Sequence, residues 1–396
     1  MHAGASSLKT ALPLVLLLSA GQPHVSAALL GTSGASLMAS LRKPTLSARD
    51  EDTRHRGYYE KMDVQARLSG DQWAAALTPP ADWVPVVGSG LYRKRERQFI
   101  DGEYVPSMQV FAAGVTMRTN RWGMRDREYA HAKPANTIRI AIMGASYVAG
   151  TGVPDDDVLD NVLETRLNDE ARAGAEATRF EVLNFAVSGF SLLEQVALLE
   201  ERALGFEPDV VIVTVDHMAE RWATRTMTRL VQGRVPVPYA ELRQLIEQSG
   251  ASAPDTGGVP LPYSQIRGAV ARGGVRTRMP WAERRRALDA IAPATLDWAA
   301  RRTVALAREH GVVPVMLGLD NVRDRARPKP RVFLDAPRLG FFTADLFEVY
   351  RGHDVDALRI APFDDHPNVR AHRMIADRLY LALTQRGGPL ATVATP

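Results

Sequence analysis

Short apolar runs alternate with longer amphipathic stretches along the chain from about residue 136 onward. The short runs are rich in Val and Ile and have no polar side, which is typical of strands buried on both faces of a parallel sheet. They cover residues 138–143, 181–185, 208–215 and 311–317. The longer stretches repeat apolar residues every three or four positions, which predicts helices. They cover residues 156–170, 192–204 and 294–310, and a last one follows residue 368. This alternation predicts an α/β fold, with a doubly wound parallel sheet in three α/β/α layers.

Residues 219–293 interrupt the alternation, and we interpret them as a helical insertion in a domain that spans 136–390. A helix is predicted near 239–248, and the Gly/Pro/Ser-rich stretch at 249–263 has the composition of a long surface loop. The insertion is a candidate lid or substrate-recognition element, and a surface decoration without function is the alternative. Residues 320–340 are rich in Arg and Pro and are predicted to form a loop.

The first 27 residues have the layout of a secretory signal peptide. Lys9 precedes an apolar run at 11–20, and residues 25–27 supply a small-x-small cleavage site. About 10 apolar residues are too few for a membrane-spanning helix, which needs about 20. We therefore expect export to the periplasm or to the outside of the cell. An uncleaved anchor or a disordered tail is the alternative, and no other segment is apolar enough to give a stable membrane span.

Residues 28–135 are predicted to form an N-terminal extension ahead of the main domain. Residues 28–56 have no steady apolar period and are interpreted as a linker. A short helix is predicted near 58–68, and residues 85–120 favour extended structure among turn residues.

Charge and composition exclude several classes of function. The net charge is only +4, and the 49 Lys and Arg residues are scattered along the chain. A nucleic-acid surface would need them gathered in one patch, so no nucleic-acid partner is expected. The chain has no Cys, which excludes disulfides, thiolate metal sites and a cysteine nucleophile. No His/Asp/Glu grouping has the spacing of a metal site, so neither a metal nor a cofactor is expected.

A small hydroxyl residue, Ser146, lies in the turn between the first predicted strand and the next helix. Such turns lie at the carboxyl edge of a parallel sheet, where these folds bind their ligands. A phosphate loop would need a further Gly and a Lys at fixed distances after Gly144, and the sequence has neither. The dinucleotide-binding fingerprint does not fit from Gly144 either. We therefore interpret Ser146 as a nucleophile.

A serine nucleophile needs a base, and a histidine base needs a carboxylate that orients it. Among the nine histidines, only His366 has aspartates packed beside it in a predicted loop at the start of a helix. We assign His366 as the base and Asp364 as its acid. Asp365 is the alternative acid, since adjacent side chains usually point in different directions. A further alternative is that both aspartates only cap the last helix.

Three motifs occur in a fixed order along the domain. They are Gly-x-Ser after the first strand, Asn184-Phe-Ala-Val-Ser-Gly189 after the second, and Asp-x-His before the last helix. Over residues 136–386, with the insertion excluded, the chain resembles the SGNH hydrolase superfamily, also called GDSL-type esterases and lipases. The resemblance implies a flavodoxin-like sheet and an oxyanion hole that uses the backbone N–H groups of Ser146 and Gly189. The first motif departs from the family, because Ala145 stands where an aspartate is usual.

The second departure concerns the third oxyanion donor. In the family an Asn side chain after strand three fills this role, and residues 215–220 contain no Asn. Either His217 takes its place, or the third donor is missing and activity is weak or lost. Loss of one such donor typically costs about 100- to 1000-fold in turnover. The alternative for His217 is a polar residue that merely ends the strand.

The activity that the resemblance implies is ester hydrolysis through a Ser-His-Asp site and an acyl-enzyme. The expected partner is a small-molecule or polysaccharide ester, with an O-acetyl or other short acyl group on carbohydrate, or a lipid ester. One alternative is an O-acyltransferase that uses the same site with a sugar hydroxyl as acceptor. The other is a binding protein whose catalytic site has degenerated, which Ala145 and the missing Asn suggest.

Overall fold

The structure, a computed structural model, describes residues 79–80, 83–174, 177–251, 281–320, 322 and 327–393. The predicted signal peptide, the linker, the helix near 58–68 and most of the loop at 249–263 lie outside these residues. Within the described part of the chain, no helix is both long and apolar enough to cross a bilayer.

Two short antiparallel hairpins precede the main sheet. In the first, β1 (Tyr92–Lys94) pairs with β2 (Gly102–Tyr104). In the second, β3 (Gln109–Ala112) pairs with β4 (Val115–Arg118). These hairpins are the extended structure that the sequence predicts over residues 85–120.

The β-branched runs of the sequence form a sheet of five strands, in which every neighbouring pair is parallel. The strands are β5 (Thr137–Ile142), β6 (Arg179–Asn184), β7 (Val210–Val215), β8 (Val313–Gly318) and β9 (Phe342–Asp345). Their spatial order is β6-β5-β7-β8-β9, which is the flavodoxin-like order of a doubly wound sheet. The predicted fold class is therefore confirmed. The winding direction reverses between β5 and β7, and ligands of such sheets bind at the carboxyl ends of the strands at that point.

Helices cover both faces of the sheet, as the three-layer prediction requires. On one face α1 packs against α7, and on the other α5 packs against α2 and α3. In chain order the helices are α1 (Leu159–Ala173), α2 (Leu192–Glu201), α3 (Ala219–Gln232), α4 (Ala240–Gln248), α5 (Trp281–Glu309), α6 (Arg331–Leu339), α7 (Val369–Thr384) and α8 (Pro389–Val393).

Alternation of side chains along each strand separates the two apolar layers. On β5, Ile140 and Ile142 belong to the cluster under α1 and α7, whereas Ala141 belongs to the cluster under α2, α3 and α5. Successive strand residues point to opposite faces, so continuous apolar runs are what a sheet covered on both sides needs. The helix α2 begins with a capping box between Ser191 and Glu194, which satisfies two of its orphan backbone N–H groups.

The sequence missed or misplaced three elements. The loop predicted at 320–340 contains α6, which buries Val332, Phe333 and Ala336 at helical spacing, although Pro337 lies inside it. The strand β9 follows directly and adds the fifth strand of the sheet. The helix predicted from about residue 294 begins at Trp281 and continues through Pro293. Proline usually breaks helices, and tertiary packing overrides this tendency here.

A two-stranded ribbon replaces the loop predicted around His366. In this ribbon β10 (Arg359–Ala361) pairs in antiparallel fashion with β11 (Asp364–Pro367), immediately before α7. All four residues of β11 are buried. The Asp-x-His motif therefore lies on a strand, and this fixes the direction of each of its side chains.

A buried ion pair joins β5 to β6. Arg139 is fully buried, and its Nε donates a hydrogen bond to Glu181 Oε2 at 2.8 Å. The other two guanidinium nitrogens donate to the backbone carbonyls of Ala130, His131 and Phe206. With a fourth, longer bond to the carbonyl of Ala132 at 3.3 Å, this one side chain binds four carbonyls and the buried Glu181 carboxylate.

Replacement of Arg139 by Met should destabilise the fold strongly. It leaves the Glu181 carboxylate buried without its cation, and we expect the free energy of unfolding in urea to fall by about 3–5 kcal/mol. The matched control is Arg93→Met, because the Arg93–Glu103 pair on the first hairpin is exposed. That change should cost less than about 1 kcal/mol. Equal and small losses in the two variants would contradict the importance of the buried pair.

Candidate active site

The turn after β5 carries Ser146 at the point where the winding of the sheet reverses. Gly144 opens it, and a Cβ at this position would lie 2.4 Å from a methyl carbon of Val148. Only glycine fits such a close approach without a shift of the backbone. The N–H groups of Val148 and Ala149 both donate to the carbonyl of Ala145, at 3.1 and 3.0 Å. These bonds close a helical turn around Ser146, whose side chain is half-buried.

A buried arginine that the sequence did not single out holds the loop after Ser146. Arg125 is 1% exposed. Its guanidinium donates to the carbonyl of Ala149 at 2.7 Å and also to the carbonyls of Gly150 and Val153. It also pairs with Asp155 at 3.3 Å. Arg125 thus ties the segment before the sheet to the loop that carries the candidate nucleophile.

The second motif lies beside this turn and is anchored at both of its ends. The Asn184 side chain donates to the carbonyl of Val148 at 2.9 Å and accepts from the backbone N–H of Ala186 at 3.0 Å. At the other end, the Tyr104 hydroxyl accepts the N–H of Ser188 at 3.2 Å. Gly189 follows with a φ of +82°, a conformation that favours glycine. The motif therefore fixes a glycine amide next to the Ser146 turn.

The ribbon brings His366 and Asp364 together. Residues two apart on a strand point to the same side, and the His366 Nδ1 lies 2.5 Å from Asp364 Oδ1. The same carboxylate oxygen accepts the His366 backbone N–H at 3.0 Å. Asp365 points to the other side, where it pairs with Arg359 at 3.2 Å. The geometry thus favours Asp364 over Asp365 as the partner of the histidine.

The two aspartates do not cap the last helix. Asn368 is the N-cap of α7, and its side chain accepts the N–H of Ala371 at 3.2 Å. The capping alternative for Asp364 and Asp365 is therefore wrong, because Asn368 caps the helix.

The Ser146 turn and the ribbon meet in space. The ring of Tyr147, the residue after Ser146, lies 4.9 Å from the ring of His366 between centroids. The two segments are separated by more than half of the chain, yet the sheet order and α7 place them side by side. The structure therefore brings together the regions of Ser146, His366 and Asp364.

His217 lies in a second Asp–His pair at the ends of β7 and β8. Its Nδ1 is hydrogen-bonded to Asp320, and its Nε2 lies 2.8 Å from the carbonyl oxygen of Arg327. Its ring also packs edge-on against Phe347. Both ring nitrogens are thus engaged on the β8 side of the sheet, whereas Ser146 and Gly189 lie at the β5 and β6 ends.

A cleft lies between the two turns at the carboxyl end of the sheet. Ala145 and Tyr147 line it from the Ser146 turn, Phe190 from directly after the second motif, Asp216 from the end of β7, and Trp222 from the first turn of α3. It encloses about 430 Å³ of empty space, including the part that is open to solvent. The region predicted as an insertion therefore contributes one wall of the cleft. The sequence did not assign a role to Asp216 or Trp222.

The histidine inside α7 cannot serve as a base near neutral pH. His372 is completely buried, and its Nδ1 accepts the backbone N–H of Leu159 at 3.1 Å. Burial, with smaller effects of Arg125 and His366, lowers the pKa of His372 to about 3. His372 therefore stays neutral and packs α7 against α1.

Two carboxyl groups accept hydrogen bonds from Asn184, the first residue of the second motif. Asp126 Oδ2 accepts the backbone N–H of Asn184 at 2.7 Å, and Asp160 Oδ1 accepts from the Asn184 side chain at 2.8 Å. Burial raises the pKa of Asp160 to about 7, against the opposing effects of Asn184 and Arg125. Burial and the nearby Asp160 also raise the pKa of Asp126. Both carboxyls that bind Asn184 are therefore protonated up to a higher pH than an exposed aspartate is.

Comparisons with known proteins give matches to solved structures only. No protein-family model matches the sequence, and no curated protein matches it. The α/β hydrolase enzyme LAE5 from the metagenome of Lake Arreo, Spain, is 16% identical and aligns over 62% of this chain and 94% of its own, with a TM-score of 0.36. TesA is also 16% identical, over 62% of this chain and 98% of its own, with a TM-score of 0.33. Axe2, an acetylxylan esterase from Geobacillus stearothermophilus, is 14% identical and aligns over 65% of this chain and 95% of its own, with a TM-score of 0.34.

Replacement of Asp160 by Asn should change how the stability depends on pH. The folded-state pKa of Asp160 is raised, so its stabilising contribution is complete below its unfolded pKa of about 4 and is lost as the pH rises through about 7. Asn keeps an acceptor for Asn184 and cannot ionise. We therefore expect the thermal midpoint of Asp160→Asn to fall less than that of the wild type between about pH 5 and 8.

The control for this measurement is Asp169→Asn on the same helix, because the Asp169 side chain is 59% exposed. Its thermal midpoint should follow the wild type across the pH range. Parallel curves for Asp160→Asn and the wild type would contradict the raised pKa.

Proposed function

We propose that this protein is a serine esterase that works through an acyl-enzyme, with Ser146 as nucleophile, His366 as base and Asp364 as the acid that orients it. One observation carries the proposal: His366 is bonded to Asp364 through Nδ1 and lies against the residue that follows Ser146. A histidine held in this way at the switch point of a doubly wound sheet has the orientation that a serine nucleophile needs.

The tautomer of His366 follows from its hydrogen bond. A carboxylate can only accept, so Nδ1 carries the proton and donates it to Asp364. The lone pair is then on Nε2, which is the atom that takes the Ser146 proton. Asp364 in turn stabilises the imidazolium that forms during the reaction.

The reaction then proceeds in two halves. The Ser146 oxygen bonds to the ester carbonyl carbon as its proton moves to His366, and the carbonyl electron pair moves onto the oxygen. The backbone N–H groups of Ser146 and Gly189 stabilise this oxyanion. The intermediate collapses, the ester C–O bond breaks, and His366 protonates the leaving alcohol. Water, activated by His366, then releases the acid by the same steps.

The shape of the cleft supports a short acyl group. The lining includes the small side chains of Ala145 and Ala219 beside Leu192 and Val215, so part of the cleft wall is apolar and formed by small residues. We propose that the substrate is an O-acetyl ester or an ester of a similar short acyl group. That its alcohol part is a carbohydrate rests on the family resemblance alone. The signal-like N-terminus supports the periplasm or the outside of the cell as the place of action.

A fluorophosphonate probe tests the nucleophile directly, because it labels only a serine that a base activates. We expect labelling of the wild type at Ser146, identified by peptide mass spectrometry, and hydrolysis of p-nitrophenyl acetate. Ser146→Ala should lose both, and His366→Ala should lose labelling although the serine remains. A wild type that neither reacts with the probe nor hydrolyses the ester would refute the esterase and leave a binding protein on this fold.

The two neighbouring aspartates provide a matched test of the acid. Asp364→Asn should lower kcat by about 10,000-fold, because the amide favours the wrong tautomer of His366. Asp365→Asn is the control, since Asp365 pairs with Arg359 on the opposite side of the strand. Its kcat should stay within a few fold of the wild-type value. Its thermal midpoint should fall, because the ion pair with Arg359 is lost. The reverse order of effects would assign the role to Asp365.

A further inference from the structure

A guanidinium group packs directly against the glycine whose amide is proposed to hold the oxyanion. A Cβ added to Gly189 would lie 3.0 Å from Nη2 and 3.2 Å from Nη1 of Arg225, and the three nearest heavy atoms all belong to this arginine. Standard covalent geometry then places Nη2 no more than about 5.5 Å from the Gly189 nitrogen. Arg225 is half-buried, so its charge is only partly screened by solvent.

The wall of the cleft holds this guanidinium in place. The Cζ of Arg225 lies 5.3 Å from the ring centroid of Trp222, one turn earlier on α3, which is within the range of a cation–π contact. The Trp222 ring is itself fixed, because its Nε1 donates to Asp216 Oδ2 at 3.0 Å. Asp216 also accepts the N–H of Met218 at 2.8 Å, at the start of the helix.

The proposed oxyanion hole has only two hydrogen-bond donors, where the family has three. Two backbone amides, those of Ser146 and Gly189, face the developing oxyanion in the proposed reaction. The side chain that the resemblance would supply after β7 is missing, and His217 is engaged by Asp320 and the Arg327 carbonyl on the β8 side. Arg225 comes from the same connection, two turns further along α3, and its guanidinium packs against Gly189.

We propose that the Arg225 guanidinium is the third group that stabilises the oxyanion, in place of the missing asparagine. This inference rests on the proposed esterase function. When the Ser146 oxygen bonds to the carbonyl carbon, the carbonyl electron pair becomes a full negative charge on oxygen. The fixed cation beside Gly189 stabilises that charge and transfers no proton. It acts on the transition state more than on the neutral ester, so its effect falls on kcat.

The test compares three variants with p-nitrophenyl acetate, a neutral ester. Arg225→Met should lower kcat by about 100-fold with KM changed by no more than about two- to three-fold. Arg225→Lys keeps the charge and should recover part of the loss. Arg221→Met, one turn earlier on α3, is the matched control and should keep the wild-type kcat. Thermal midpoints of all variants confirm that they are folded.

A boronic acid provides the readout that a structural role would not change. It forms a tetrahedral anionic adduct with an activated serine and so mimics the oxyanion. Its inhibition constant should rise in Arg225→Met by about the same factor as kcat/KM falls. The reason is that the affinity for a transition-state mimic changes in parallel with the stabilisation of the transition state. Fluorophosphonate labelling of Ser146 in the wild type, measured in parallel, reports whether the proposed function itself holds.

Three results would overturn the inference. An Arg225→Met enzyme with wild-type kcat and boronic acid affinity removes the oxyanion role and leaves the esterase intact. If only KM rises, and only for esters that carry a carboxylate, Arg225 would be assigned to substrate recognition instead. A wild type without labelling or hydrolysis would remove the esterase, and this inference with it.

Discussion

A buried guanidinium holds the loop after Ser146, the proposed nucleophile, and the geometry of the candidate site depends on it. The loop from Ala149 to Val153 has no regular structure and is largely buried, so its carbonyls need donors from elsewhere. Arg125 supplies them, and its planar fork can reach three carbonyls at once. Its nearest acid, Asp155, lies at the longer distance of 3.3 Å. The carbonyl dipoles of the loop therefore compensate much of the buried charge.

Strand geometry sets the remaining directions in the site. The alternation of side chains on β11 separates Asp364 and His366 from Asp365, and the carboxyl end of β5 sets the position of Ser146. The strand fixes the first arrangement, and the Ser146 turn is held by its own hydrogen bonds to Ala145, which suits the proposed reaction because it tolerates little displacement of the reacting groups. The ribbon is held against α7 by Asn368, whose side chain caps the helix and also donates to the carbonyls of Ala357 and Arg359.

The sequence predicted the parts of the molecule that depend on local pattern. Strands β5 to β8 and the turn at Ser146 follow from apolar runs and turn residues, because a doubly wound sheet imposes these patterns on any chain. It did not predict β11, since Asp and Pro have low β propensity and this strand forms only through its pairing with β10. The helix α6 was hidden by prolines and becomes stable through burial of Phe333 against the sheet.

Contacts between distant residues that belong to no motif were beyond the reach of the sequence. The role of Arg125 depends on carbonyls that come 24 or more residues later, and a lone arginine in a turn carries no sign of this. The choice between Asp364 and Asp365 needed the direction of a strand that the sequence did not predict. The position of His217 needed Asp320, more than a hundred residues further on.

In the proposed mechanism, a cation from the connection after β7 replaces a neutral donor. Asp216 fixes Trp222, and the helix then carries the Arg225 guanidinium to Gly189. Nη2 of Arg225 lies within about 5.5 Å of the Gly189 nitrogen, so an oxyanion bound to that amide lies within about 8.4 Å of the charge. At that upper limit a unit charge contributes about 2 kcal/mol at an effective dielectric constant of about 20. Removal of one neutral oxyanion donor costs about 2.7–4 kcal/mol. The two values are of the same order, so a half-buried arginine can in physical terms offset a large part of the loss of the asparagine. The long range of a charge also relaxes the demand on hydrogen-bond geometry, so the proposed role does not require Arg225 to occupy the position of the missing asparagine.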